Sequence, residues 1–180
     1  PLSSVVPVPN YAQGLGKSVK GLKFGVLGGF FDENVSAEVR KAVEDAAKLL
    51  QSLGMRKVEV RIPHIDLVPA VQTATSRVEN VTQVTKHLKA RPNDFSRPLL
   101  HRLVCSLMIP GSTYIAAQRV RRVICDEFRK AFEKLDLMLA PTTPVPAYSI
   151  EESQQGSLML NGGEVALQTI HGSLGTSCTI

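Results

Sequence analysis

Tryptophan is absent from this 180-residue chain, and aromatic residues make up only 5% of it. Proteins that grip single-stranded nucleic acid stack bases on aromatic side chains set among clustered cations. The net charge of +5 is therefore a poor guide to a nucleic-acid partner, because few aromatics accompany it. The positive charges are also dispersed. The densest run, Arg119, Arg121, Arg122, Arg129 and Lys130, has Asp126, Glu127 and Glu133 among or just after it. Cysteine is scarce as well: Cys105, Cys125 and Cys178 are odd in number and irregular in spacing. They supply neither a disulfide framework nor a zinc motif. A reducing compartment, the cytoplasm, is the expectation. No apolar run approaches the ~20 residues that span a bilayer, so no membrane partner is expected. No signal peptide is visible, though the chain begins at Pro1 and not at Met. What is present, 43% apolar and 21% charged residues, suits a globular chain with room for a core.

Residues 1–20 read as a loop-like lead-in, because Pro1, Pro7 and Pro9 lack backbone donors and Gly14 and Gly16 loosen the chain. Residues 22–27 alternate loosely and end at Gly28-Gly29, which predicts a strand and a turn. Ser36 offers an N-cap oxygen, Glu38 suits the positive helix end, and Gly54 supplies a stop. Between them Val39, Val43, Ala46, Leu50 and Leu53 form a helical stripe, with Val43 and Leu50 expected to face the core. Residues 57–62 alternate strictly and end at Pro63, a second strand. Strand, helix and strand make a βαβ unit if the strands pair in parallel.

A helix is expected over residues 67–89 despite its threonines and valines, then a turn at Arg91-Pro92-Asn93-Asp94. Residues 99–108 form a further helix, stopped by Pro110-Gly111. Ser112 or Thr113 then caps a long helix whose apolar side carries Ile115, Val120, Val123, Ile124, Phe128 and Phe132. Residues 135–139 are a third strand, expected in the same sheet as the other two. Residues 151–180 turn to Gly, Ser and Gln and read as irregular, with a small hairpin around Asn161-Gly162.

The candidate chemistry is thin. Gly14-Leu15-Gly16-Lys17-Ser18 has the tail of a phosphate-binding loop, but Tyr11 stands where its first glycine belongs and prolines replace the strand before it. Gly25, Gly28 and Gly29 are wrongly spaced for a dinucleotide fingerprint. His64, His87, His101 and His171 lack His or carboxylate partners at metal spacing, so no metal or cofactor is expected. Ser173 lacks the glycine two residues before it that a nucleophile elbow requires. Cys105 and Cys125 read as buried structural thiols. Arg102 taken alone is a solvated helix charge.

The wording of certain segments says more. Leu135-Asp136-Leu137-Met138-Leu139-Ala140-Pro141-Thr142-Thr143-Pro144-Val145-Pro146-Ala147 follows a long basic helix. Ser4-Val5-Val6-Pro7-Val8-Pro9-Asn10-Tyr11, Val19-Lys20-Gly21-Leu22-Lys23-Phe24-Gly25-Val26-Leu27, Phe30-Phe31-Asp32, Arg102-Leu103 and Ala117-Gln118-Arg119-Val120-Arg121 precede it in order. Together these resemble the later part of the amidase signature family, Ser-nucleophile enzymes that hydrolyse C–N amide bonds. His87-Leu88-Lys89-Ala90-Arg91-Pro92-Asn93-Asp94-Phe95 and Leu158-Met159-Leu160-Asn161-Gly162-Gly163-Glu164-Val165 are similar to the carboxybiuret-hydrolase-like members. General amidases and the amidase-type component of tRNA-dependent amidotransferases are nearby alternatives.

The resemblance implies an α/β fold, part of a mixed β-sheet flanked by helices, in a single partial domain over residues 1–180. It implies a Ser nucleophile, a bridging Ser and a Lys base near a Gly/Ser-rich loop. No Gly-Gly-Ser-Ser-type loop occurs here, so no catalytic residue is assigned. Arg102-Leu103 matches a motif with which family members grip a substrate carboxylate, which makes Arg102 the substrate-binding candidate. The expected function is the substrate-side and scaffold portion of an amidase, its nucleophile lying outside this chain. The chain alone is expected to be inactive. Expected partners are a small-molecule amide, the remaining part of the amidase, and a second copy or small accessory subunit. The alternative is an amidase-like binding or structural subunit without catalysis.

Overall fold

The computed structural model describes residues 7–28 and 35–167. Three short strands form one parallel sheet: β1 (Lys23–Val26), β2 (Arg56–Val58) and β3 (Leu137–Leu139), in the order β2-β1-β3. Phe24 pairs with Lys57 on one side and Leu137 on the other. The three segments expected in one sheet are thus joined, with the first strand at the centre. The Asp136 side chain extends this join by accepting the Lys23 backbone N–H at 2.8 Å. Gly29, half of the turn expected after β1, lies outside the described residues.

Helix α1 (Ala37–Ser52) connects β1 to β2. Ser36 caps it by accepting from the Val39 N–H, as its position before the apolar stripe predicts. Its end is a glycine stop: Gly54 sits at φ 89°, and the Met55 N–H returns to the Leu50 carbonyl at 3.1 Å. The stripe is less buried than expected. Ala47 is the buried residue, Val43 and Leu50 are half-buried, and Leu53 is 53% exposed. The second strand is also shorter than residues 57–62. Val58, Val60 and Ile62 keep alternating inward and Glu59 and Arg61 outward, but pairing with β1 stops at Gly25 opposite Val58. Beyond that point the Val60 side chain folds over Gly25, where a Cβ would lie 2.7 Å from Val60 Cγ1. A glycine is needed there because two core side chains, Val60 and Leu135, already fill the space.

Helix α2 (Val68–Ala90) follows, then a 3₁₀ turn at Pro92–Asp94, α3 (Arg97–Leu107) and α4 (Gly111–Phe132). The threonines of α2 do not break it. Thr75, Thr82 and Thr85 each donate to the carbonyl four residues back, at 2.9, 2.7 and 2.5 Å. Neither Ser112 nor Thr113 caps α4. Pro110, extended at ψ 143°, is the N-cap, and its carbonyl accepts from the Thr113 and Tyr114 N–H groups. The buried side of α4 also differs from the expected stripe. Ala117, Val120, Ile124, Phe128 and Ala131 face inward, while Ile115, Val123 and Phe132 are about half exposed. Val68 and Val71 of α2 select that face, since a helix can bury only the stripe its neighbour meets.

The core is layered accordingly. Phe24, fully buried, packs with Ala47 and Met55 on the α1 side of the sheet. Phe128 and Ala131 of α4 pack with Leu27, Val35 and Ile62 near Met138 of β3. A separate cluster of Val81, Leu88 and Leu103 ties α3 to the far half of α2. Helices flank a small sheet, so the fold is α/β.

The stretch expected to be irregular is ordered through residue 167. Helix α5 (Ile150–Gln155) starts with a capping box, in which Ser149 and Glu152 exchange hydrogen bonds. Gly156 at φ 77° ends it. Strands β4 (Ser157–Leu160) and β5 (Gly163–Ala166) then form the antiparallel hairpin expected around Asn161-Gly162. Both turn residues have positive φ, 52° and 87°, which the asparagine–glycine pair tolerates best. Gln- and Ser-rich composition concealed helix α5 because its signal is a cap, not apolar periodicity.

Candidate functional site

Parallel strands gather their ligand-binding loops at their carboxyl ends. Here that end is built by three pieces. The first is the N-terminus of α1, whose Ser36 N–H donates to the Pro144 carbonyl at 2.8 Å. The second is the proline-bearing loop after β3, containing Pro141, Pro144 and Pro146, whose fixed φ angles hold it extended. The third is α5 with the hairpin. Its turn residue Asn161 donates through Nδ2 to the Val35 carbonyl at 3.0 Å, fastening the hairpin to the chain just before α1.

A cleft of about 480 Å³ lies among these pieces, with Ser36, Glu38, Tyr148, Glu152 and Glu164 on its walls. Its polar groups are largely committed. The Ser36 hydroxyl oxygen accepts from the Val39 N–H at 3.3 Å. Glu152 accepts from the Ser149 N–H at 2.7 Å, and Ser157 donates to Glu164 at 2.5 Å. The lining contains three glutamates and, among the described residues, no lysine, arginine or histidine. Such a cleft suits neutral or cationic polar groups better than a carboxylate. Among the described residues it holds no serine beside a lysine or histidine base, the arrangement that activates a hydroxyl for acyl transfer.

Arg102 is elsewhere. It is exposed on α3, and the described residues give its guanidinium no hydrogen-bond or ion-pair partner. Its helix packs through Leu103 on the far half of α2. Arg102 is not among the residues that line the cleft.

The other candidates keep or lose their roles plainly. Gly14 closes a single 3₁₀ turn, Tyr11–Gly14, with no helix behind it, so the phosphate-loop likeness has no supporting geometry. His64 is held by Glu127: the ring Nδ1 lies 2.5 Å from Glu127 Oε1, and its backbone N–H donates to Oε2 at 3.1 Å. Cys125 is half-buried, but Cys105 is exposed, against the buried thiol expected. It sits on the outer face of α3 because Leu103 and Ser106 take the inward positions. His171, Ser173 and Cys178 lie outside the described residues. Among described residues, Asp45 is the carboxyl held below its usual range. The hydrogen bond from Lys41 is the main cause, with Lys48 assisting, and the group lies on the solvent face of α1.

The cleft carboxylates and the Glu127 clasp are not anticipated from the sequence. Ser149-x-x-Glu152 is nonetheless legible there as a capping box. Glu127 gives no local signal, because its partner is 63 residues away.

Comparison with known proteins agrees with this architecture. The family profile described as Amidase matches residues 1–170. An amidase from Pseudomonas putida is 33% identical over 147 residues, covering 82% of this chain and 32% of that protein. A glutamyl-tRNA(Gln) amidotransferase component from Geobacillus sp. (strain WCH70) is 31% identical over 187 residues, covering 91% and 38%. Among solved structures, a vestigial protein complex bearing on the origins of an s-triazine catabolic enzyme superposes with TM-score 0.83 at 28% identity. That match covers 97% of this chain and 36% of the other. A bacterial aryl acylamidase of the amidase signature family superposes with TM-score 0.76 at 20% identity, a likeness of fold. The chain spans 32% and 38% of the lengths of those two curated relatives. It belongs to the amidase family.

Proposed function

We propose that this chain is the substrate-side and scaffold portion of an amidase that hydrolyses a C–N amide bond of a small molecule. The observation that carries the reading is the family match over residues 1–170, together with a cleft that has walls but no serine–base pair. The nucleophile and its lysine base belong to amidase sequence outside this chain. The reaction is acyl transfer to that serine, then hydrolysis, with backbone N–H groups holding the oxyanion. The sheet and α1 supply the scaffold. Arg102 grips a substrate carboxylate from the α3 side when the complementary part of the amidase faces it.

Within the family we assign the chain to the carboxybiuret-hydrolase-like amidases. Support comes from the Asn161-Gly162 hairpin, which is formed, and from the 0.83 superposition on the complex connected with s-triazine catabolism. The working compartment is the cytoplasm; among the described residues, no helix is long and apolar enough to cross a membrane. The partners are the amide, the rest of the amidase, and a second copy or small accessory protein. That last assignment draws on relatives named as amidotransferase components and as a vestigial complex.

A non-catalytic amidase-like protein is the second reading, favoured by the same lack of a serine–base pair in the cleft. A serine-directed fluorophosphonate probe separates the two. The chain alone should neither label nor turn over simple amides. The complete coding sequence should label one serine and hydrolyse them. Labelling of the chain alone, lost on mutating one of its own serines, would overturn the assignment. An unlabelled complete protein would favour the non-catalytic reading.

A further inference from the structure

His101 and Cys105 stand one turn apart on the exposed face of α3, four residues apart in sequence. Cys105 Sγ lies 3.7 Å from His101 Nε2. We infer that this pair is a surface site for a borderline-soft divalent cation such as Zn²⁺, with Nε2 and Sγ as its two protein ligands. Zinc–sulfur and zinc–nitrogen bonds of about 2.3 and 2.05 Å at a tetrahedral angle separate the two donors by about 3.6 Å. The two atoms already stand at that spacing without any rotamer change.

The chemistry of the donor set agrees. Thiolate and imidazole together favour zinc-like cations over calcium or magnesium, which take oxygen. On binding, the thiol loses its proton to solvent, the thiolate and the neutral imidazole bind the cation, and one proton is released per metal. Both side chains face solvent, so two coordination positions remain for water or for a donor on another molecule. No group of three or more His, Cys, Asp or Glu side chains suited to a metal occurs among the described residues, so the site takes two ligands from the described residues and is otherwise open. Histidine spacings to other histidines and carboxylates do not reveal it, because the second donor is a thiol four residues on. This inference does not rest on the amidase reading.

The test uses the full chain with Cys125→Ser and Cys178→Ser, leaving Cys105 as the one thiol. Titration with Cd²⁺ should produce a saturable sulfur-to-cadmium charge-transfer band in the ultraviolet, one metal per chain, and Zn²⁺ should suppress it. His101→Gln should weaken Cd²⁺ binding at least about tenfold, the least that loss of even an outer-shell partner usually costs. Cys105→Ser should abolish the band. His101→Asn serves as a second variant, and unchanged helical circular dichroism certifies folding of each. A band of equal affinity in both His101 variants would mean a thiol acting alone and would overturn the site. So would the absence of a saturable band in the Cys105-only chain.

Discussion

Glu127 of α4 holds both the ring and the backbone of His64, through separate carboxylate oxygens at 2.5 and 3.1 Å. The glutamate side chain is only 14% exposed, while the histidine is 51% exposed. The contact joins the chain leaving β2 to the helix that covers the sheet, across 63 residues of sequence. It also explains how an extended segment without ladder partners, residues 59–62, keeps Ile62 in the core.

Glu127→Ala should lower stability by about 1–3 kcal/mol, because a charged acceptor is lost and the His64 N–H loses its partner. Urea denaturation should show a lower midpoint at unchanged slope. His64→Ala should cost less, since the backbone N–H still reaches the carboxylate. Equal midpoints for Glu127→Ala and the parent would show that the clasp contributes nothing.

Gly25→Ala should destabilise by about 1–3 kcal/mol through overpacking. The new methyl would meet Val60 Cγ1 at 2.7 Å, Val60 Cβ at 2.9 Å and Leu135 Cδ2 at 3.0 Å. Val60→Ala in the same chain should recover part of that loss. A double-mutant cycle reads the coupling directly, and additive effects would contradict the steric account.

Core depth sets the next expectation. Ile124 is fully buried, so Ile124→Ala should cost about 2–5 kcal/mol. Val43 is half-buried beside an open groove with Val26, Val35 and Pro141, so Val43→Ala should cost about 1 kcal/mol. Val123→Ala on the outer face should stay within about 0.5 kcal/mol. Thermal midpoints in one buffer give the order, and a costly Val123→Ala would place a partner on that face.

Arg102→Lys, measured in the complete enzyme, should raise KM for a carboxylate-bearing amide about tenfold or more, because an ammonium cannot reproduce the planar fork. That corresponds to the about 1.5–3 kcal/mol of a charged hydrogen-bonded contact. A neutral amide should be affected far less. Equal loss on both substrates would indicate a folding role, and loss on neither would leave Arg102 a solvated charge on α3.

Sequence alone determined whatever rests on residues a few positions apart. Ser36 as a cap, Gly54 as a stop, Asn161-Gly162 as a turn and the alternation from Val58 to Ile62 were all legible, and all are present. So was the family, because ordered segments such as Ala140-Pro141-Thr142-Thr143-Pro144 carry it without any geometry. Only the tertiary structure decided which face of α4 is buried, how far β2 pairs, that Cys105 is exposed, and that Arg102 is not among the residues lining the cleft. The reason is the range of the forces. A cap or turn is satisfied by its own neighbours, so its residues declare it. A buried face is chosen by the element packed against it: Val120 rather than Val123 turns inward because Val68 and Val71 lie there, and they are about fifty residues away in the chain.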